Sequence, residues 1–259
     1  MTAALRFQAS DLDLFRAASH DRNAVHARRG ASDGGGSDES EPIVFGVLAL
    51  LAVTASLRLE RVRTVRAEFR APLRIGVDGE VESLESGAET VAATVAHSGR
   101  RVLRAEFGLG DGPPSGGGLL GAPARALGRS WTMDELRERP VLEGSYGPDP
   151  AAFDALRAAW PGARGLTAGQ WAALLWCSYF VGMELPGQQA IFGGLSVRFQ
   201  PAAPPEPAPL DYTARVTRFD DRFGLLRIEA ALRWGGPPLA DVTLDAFFHP
   251  DPMSKLGAV

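Results

Sequence analysis

The chain contains almost no cysteine. Cys177 is the only cysteine among 259 residues, so no disulfide can form within the chain. A chain so poor in cysteine is typical of a reducing compartment. The sequence shows no metal-ligand spacing, no phosphate-binding glycine loop, no G-x-S-x-G motif and no nicotinamide fingerprint. We therefore expect no bound metal and no cofactor.

Strong charge and long apolar runs are also lacking. The formal net charge is −4 and the pI is about 5.6, which disfavours a protein that binds nucleic-acid phosphates. The longest apolar runs, Ile43 to Ser56 and Trp171 to Leu185, fall short of the roughly 20 residues of a membrane span. The first residues include early acids and no apolar signal region. These features predict a cytoplasmic protein without nucleic-acid or membrane partners.

The apolar run from Ile43 to Ser56 predicts a helix that is hydrophobic on every side. Pro42 stands where such a helix would begin, and a helix of this kind must be wrapped by other elements. Residues Val62 to Val77 and Glu89 to Leu109 alternate apolar with polar side chains, the period of strands that bury one face. A long helix followed by antiparallel strands predicts an α+β fold, with the sheet curled around the helix.

The same plan returns in the second half of the chain. Thr167 can cap an apolar helix that runs to Leu185, and four strand-like segments follow it, over Ala190 to Gln200, Tyr212 to Phe219, Leu225 to Trp234 and Leu239 to Phe248. The two halves also align residue by residue, as in Val95 with Leu232, Gly99 with Gly236, Val102 with Leu239 and Phe69 with Phe199. We therefore expect two units, over residues 1–109 and 166–259, joined by a connector over 110–165 that carries no chemistry.

One short polar segment brings together the residue types of acid–base catalysis. Asp21 and His26 are separated by Asn23 and are followed by an apolar helix start that contains Gly46. A spacing of five residues places the two side chains about 140° apart on a helix, so they can meet only in a turn. A carboxyl and an imidazole in one turn can supply a general acid and a general base.

This segment resembles a family signature. The run Asp21–His26 resembles the D-x-N-P-x-H motif of MaoC-like (R)-specific enoyl-thioester hydratases and dehydratases, and Ile43–Leu48 resembles the glycine-containing start of their hotdog helix. The chain differs from the family pattern at His20, where glycine is usual, at Ala24, where proline is usual, and at Phe45, where histidine is frequent. With the internal repeat, the resemblance implies a double hotdog, that is, two sheets each wrapped around a helix and joined edge to edge.

The resemblance also implies an activity. It predicts a lyase that interconverts 3-hydroxyacyl and 2-enoyl thioesters carried by an acyl carrier protein or by coenzyme A, in polyketide or fatty-acid type metabolism. Asp21 and His26 would be catalytic, Asn23 would orient the turn or the substrate water, and the Gly46 amide would bind the thioester oxygen. The second half lacks the signature, so one active site is expected, in a monomer or a homodimer.

Two other functions fit the same scaffold. A hotdog thioesterase would need a carboxylate near the central helix, and Glu41 is the only acid adjacent to Pro42. A non-catalytic protein that binds or docks acyl thioesters is compatible with the departures at Ala24 and Phe45. Thioester conversion, release of free thiol and binding without turnover distinguish the three.

Overall fold

The computed structural model describes residues 2–27, 42–84, 87, 89–110, 128, 131–188, 190–201 and 208–248. Its strands form a single antiparallel ten-stranded sheet. The glycine-rich loop after His26, most of the linker after residue 110, most of the proline-rich segment near residue 205, and His249 lie outside the described residues.

The first half contributes two helices and five strands. The helices are α1 (Ala9–Ser19) and α2 (Gly46–Leu57), with a 3-10 turn at Ala24–His26 between them. The strands are β1 (Thr2–Arg6), β2 (Val62–Phe69), β3 (Asp78–Leu84), β4 (Thr90–His97) and β5 (Arg100–Leu109).

The second half begins with elements that the sequence analysis assigned to the connector. These are α3 (Met133–Arg137), β6 (Val141–Tyr146), α4 (Pro150–Ala159) and a 3-10 turn at Pro161–Ala163. Then come α5 (Ala168–Tyr179), a π-helical continuation over Phe180–Glu184, and the strands β7 (Ala190–Phe199), β8 (Leu210–Asp220), β9 (Leu225–Trp234) and β10 (Pro238–Phe248). Strand β6 was not predicted.

The order of the strands shows the repeat directly. The sheet runs β1-β3-β4-β5-β2-β7-β10-β9-β8-β6, so its two five-stranded halves follow the same order outward from the centre. They join where β2 pairs antiparallel with β7, with Thr64 opposite Arg198 and Glu68 opposite Gly194. In this order β6 takes the place of β1 in the other half, and α4 precedes α5 as α1 precedes α2. The domain division at residues 109 and 165 stays a prediction.

The two central helices are buried along their length, as their sequences predicted. In α2 every residue from Val47 to Thr54 is buried, and in α5 every residue from Gly169 to Tyr179 is buried. Thr167 caps α5 through a reciprocal arrangement with Gln170. The helix α2 begins at Gly46 rather than at Pro42 because the preceding residues form other hydrogen bonds. The Val44 N–H donates to the Leu73 carbonyl at 2.7 Å, and Ile43 forms a β-bridge with Arg74.

The residue types of Val77-Asp78-Gly79 and of His97-Ser98-Gly99 predict two hairpin turns. At Ser98 and Gly99 both residues have positive φ, 50° and 74°, and they connect β4 to β5 as a tight turn. At Val77-Asp78-Gly79 the prediction was wrong by a few residues, since Asp78 and Gly79 already pair with β1. Among the described residues no helix is long and apolar enough to cross a membrane.

Candidate active site

The end of α1 turns the chain inward at Asp21. His20 adopts the left-handed conformation, φ 61°, and its N–H donates to the Arg16 carbonyl at 3.0 Å, which closes the helix. The Ser19 hydroxyl donates to the Phe15 carbonyl at 2.7 Å and accepts from the Asp21 N–H at 3.2 Å. These bonds fix the backbone just before Asp21, whose side chain is 2% exposed.

The Asp21 carboxyl has one donor on each oxygen. Its Oδ1 accepts from the Asn23 N–H at 3.0 Å, and its Oδ2 accepts from the Ser178 hydroxyl at 2.7 Å. Burial raises the pKa of Asp21 to about 6, and the two hydrogen bonds and the Arg16 charge only partly oppose this effect. The group is therefore poised to gain or lose a proton near neutral pH.

Asn23 ties the turn to the second half of the chain. Its side-chain amide donates to the Ala190 carbonyl of β7 at 3.1 Å, while its Oδ1 accepts from the Val25 N–H at 3.2 Å. The second bond caps the 3-10 turn that ends at His26. Asn23 thus sets the path of the chain between the acid and the imidazole.

The His26 ring is held by a hydrogen bond and a ring stack, and its backbone carbonyl accepts a further hydrogen bond. Its Nδ1 lies 2.8 Å from the Ile43 carbonyl, and because a carbonyl only accepts, Nδ1 carries the proton and Nε2 keeps its lone pair. The ring stacks on Phe45 with 3.8 Å between centroids, and Arg16 donates to the His26 carbonyl at 2.8 Å. Burial lowers the pKa of His26 to about 4; the Ile43 bond opposes this and the Arg16 charge adds to it.

Gly46 begins α2 with an uncapped N-terminus. The residue before it, Phe45, makes no side-chain capping bond, so the N–H groups of the first turn are left for another acceptor. A Cβ atom at position 46 would lie 2.9 Å from the Phe69 ring. Glycine is therefore the residue that fits between this ring and the start of the helix.

All four residues singled out from the sequence line one cavity of about 400 Å³. Asp21, Asn23, His26 and Gly46 share it with mainly apolar side chains, and Asp21 is the only carboxyl among the described residues of its wall. The second half of the chain supplies a large part of that wall: Ser178, Val181, Gly182, Ile191, Phe192 and Phe247.

Three basic side chains also line the cavity: Arg70, His97 and Arg100. His97 is half-buried, and its Nδ1 lies 3.0 Å from the Asp78 carbonyl. Arg70 is paired with Glu68, whereas Arg100 has no ion pair among the described residues. A volume of this size is within the range of small-molecule sites.

No protein-family model matches the chain, and no curated protein sequence matches it. Solved structures do. A MaoC-like dehydratase matches with a TM-score of 0.60 at 13% identity, covering 96% of this chain and 98% of that one. A conserved hypothetical protein from Mycobacterium tuberculosis, described as having a double hotdog fold, matches with a TM-score of 0.61 at 12% identity, covering 96% of both chains.

The protein has a double hotdog fold. The α+β class predicted from the sequence is confirmed, and so is the resemblance to a MaoC-like dehydratase at the level of fold. A putative oleoyl thioesterase from Lactobacillus plantarum also matches, with a TM-score of 0.51 at 7% identity over 97% of this chain and 96% of that one. The similar structures thus include proteins described as dehydratase and as thioesterase.

In this double hotdog, Ser178 and Gly182 are the site residues that the sequence did not indicate. Ser178 lies in α5 and Gly182 in the π-helical continuation, where any side chain would overlap the Asp21 carboxyl. The only trace in the sequence is that both are small residues in a run of bulky ones. The Tyr179 hydroxyl donates to the Glu184 carboxyl at 2.7 Å, but neither residue is part of the described cavity wall.

Among the described residues, no three His, Cys, Asp or Glu side chains form a group that could hold a metal ion. Cys177 is buried, and burial raises the pKa of its thiol far above the ordinary value. Asp21 and His26 are the described residues of the cavity wall whose pKa values are shifted by burial.

Proposed function

We propose that the protein is a hydro-lyase that interconverts 3-hydroxyacyl and 2-enoyl thioesters. The observation that carries the proposal is that Asp21 and His26 line the same apolar cavity as Gly46 at the start of α2. An acid, a base and a helix N-terminus are what removal of water from a thioester requires. The fold shared with a MaoC-like dehydratase is compatible with it.

The acid and base roles follow from the order of the two pKa values. Burial raises the pKa of Asp21 to about 6 and lowers that of His26 to about 4, which inverts their usual order. The carboxyl therefore keeps its proton to a higher pH than the imidazole does. When the environment separates two titrating groups in this way, the group with the higher pKa is suited to be the acid. We assign Asp21 as the acid and His26 as the base.

In dehydration, His26 Nε2 takes the proton from the α-carbon of the 3-hydroxyacyl thioester. The electrons of that C–H bond form the new double bond, and the bond between the β-carbon and the hydroxyl oxygen breaks. Asp21 supplies a proton to the departing oxygen, which leaves as water. The pair ends as imidazolium and carboxylate, and hydration is the same path in reverse.

The N-terminus of α2 binds the oxygen of the thioester carbonyl. Negative charge develops on that oxygen as the α-proton leaves, and uncapped N–H groups at a helix N-terminus stabilise such charge. Gly46 lines the cavity at this point and has no side chain to keep the substrate away. Asn23 keeps the turn in place through its bond to Ala190.

The substrate class is an acyl thioester on an acyl carrier protein or on coenzyme A, in polyketide or fatty-acid type metabolism. The mainly apolar wall suits an acyl chain, and Arg100, which has no ion pair with another described residue, is a cation for the phosphate of the pantetheine arm. Two aromatic side chains of the second half, Phe192 and Phe247, line the cavity where they would contact the acyl chain of the substrate.

The test is to incubate the purified protein with 3-hydroxyacyl and 2-enoyl thioesters and to follow enoyl absorbance and free thiol. We expect interconversion without thiol release, reduced at least 100-fold in Asp21→Asn and in His26→Ala, in keeping with the usual size of acid–base contributions. Asp154→Asn, an exposed carboxyl on α4, is the matched control and should retain activity. Thiol release would establish the thioesterase alternative, and tight binding without turnover would establish a docking protein.

A further inference from the structure

We infer that Ser178, in the central helix of the second half, is a positioning residue whose hydroxyl holds the Asp21 carboxyl in its working orientation. The inference rests on the proposed function and deepens it. The second half carries no copy of the signature, so no catalytic residue was expected from it. Its helix α5 nevertheless supplies one of the two hydrogen bonds made by the proposed acid.

The contact is short and shielded from water. Ser178 Oγ donates to Asp21 Oδ2 at 2.7 Å, and the two residues are 4% and 2% exposed. The other oxygen, Oδ1, is held by the backbone N–H of Asn23. With a donor on each oxygen the carboxyl cannot rotate without losing a buried hydrogen bond, which is costly.

The helix supplies the space for this contact as well as the donor. Gly182 follows Ser178 by four residues, a spacing that brings two positions to the same side of a helix. The helix widens to a π-helix over Phe180–Glu184, and a side chain at Gly182 would overlap the Asp21 carboxyl. Short π-helical segments are frequent at functional sites. Ser178 and Gly182 together thus make room on α5 and its continuation for the Asp21 carboxyl of the first half.

The hydroxyl of Ser178 also affects the pKa of Asp21. The charged and titratable groups that interact with Asp21 electrostatically are Arg16 on α1 and Tyr146 on β6. His20 precedes Asp21 in the chain, His26 lines the same cavity, and Cys177 precedes Ser178 on α5. The only permanent cation among them, Arg16, is already bonded to Asp13 and to the His26 carbonyl. Burial raises the pKa of Asp21, and the hydrogen bonds from Ser178 and Asn23 oppose that effect more than the Arg16 charge does. Without the hydroxyl, the carboxyl would hold its proton to a still higher pH.

The experiment compares Ser178→Ala with Ser178→Thr and with Ser56→Ala. Ser56 is a half-buried serine of α2 whose hydroxyl bonds only to the Ala52 carbonyl among the described residues, so it is a control for loss of a helical serine. Two quantities are measured: the titration of the Asp21 side-chain carboxyl carbon by NMR, and the pH profile of kcat for dehydration. Circular dichroism melts show whether each variant is folded.

We expect the Asp21 titration of Ser178→Ala to move up by about one to two pH units, as loss of a hydrogen bond to a charged group predicts. The alkaline limb of kcat should move with it, while Ser178→Thr restores both and Ser56→Ala leaves both unchanged. A folded Ser178→Ala protein with an unmoved Asp21 titration, or with an unmoved limb and only a lower rate, overturns the inference. A wild-type protein that converts no thioester would refute the proposed function separately, because the NMR titration needs no activity.

Discussion

Burial of Asp21 has a cost that can be measured as folding stability. Its side chain is 2% exposed, and burial raises its pKa from 3.8 to about 6. The unfolded chain ionises this group at a lower pH than the folded chain does. Its contribution to stability is therefore complete below pH 3.8 and is lost as the pH rises to about 6. The gap between the two pKa values corresponds to about 3 kcal/mol at neutral pH.

The substitution Asp21→Asn should remove this cost while keeping the shape of the side chain. The asparagine oxygen can accept from the Asn23 N–H, and its amide can donate to the Ser178 hydroxyl, which is able to accept as well as donate. We expect the free energy of unfolding to rise by up to about 3 kcal/mol at pH 7.5 and by only about 1 kcal/mol at pH 4.5. The variant that abolishes the proposed reaction should thus be the more stable protein.

Urea unfolding followed by tryptophan fluorescence measures this difference, since Trp171 and Trp176 are fully buried. Wild type and Asp21→Asn are compared at both pH values, with Asp154→Asn as the control that alters an exposed carboxyl on α4. An Asp21→Asn protein no more stable than wild type at pH 7.5 would refute the reasoning. Equal stabilisation at the two pH values would refute it too, because the gain must depend on ionisation.

Three further predictions concern the same cavity. Gly182→Ala should lower turnover at least tenfold and destabilise the fold by about 1–3 kcal/mol, since the added methyl group overlaps the Asp21 carboxyl; kcat and a thermal melt test this. Arg100→Ala should raise the KM for a phosphopantetheine thioester about fivefold to tenfold and leave the KM for a thioester without the phosphate unchanged. Arg101 lies outside the described cavity wall, so Arg101→Ala should change neither KM. The His26 ring should titrate by NMR at about pH 4. Because its folded pKa lies below the ordinary 6.5, its contribution to stability should be lost as the pH falls from 6.5 to about 4. An NMR midpoint near 6.5 would contradict the argument that burial lowers this pKa.

Much of the fold could be predicted because its signals are local. The apolar runs that became α2 and α5 have no polar face, so each had to be wrapped, and the alternating segments after them supplied the sheets. The match of Gly99 with Gly236 placed two hairpin turns at equivalent positions, and both residues have positive φ. Strand β6 was missed because its residues, Val141 to Tyr146, are mostly exposed and show no alternation. It forms at the edge of the sheet by pairing with β8.

The sequence by itself determined which residues of the first half are candidates for the chemistry. A carboxyl, an amide and an imidazole at Asp21, Asn23 and His26, followed by a glycine before a buried helix, are readable from the order of the residues alone. Only the tertiary structure decided how these groups behave. Desolvation raises the pKa of Asp21 to about 6 and lowers that of His26 to about 4, and a hydroxyl 157 residues away donates to the Asp21 carboxyl. Desolvation and hydrogen bonding depend on what surrounds a group in space, and neighbours so distant along the chain leave no local pattern.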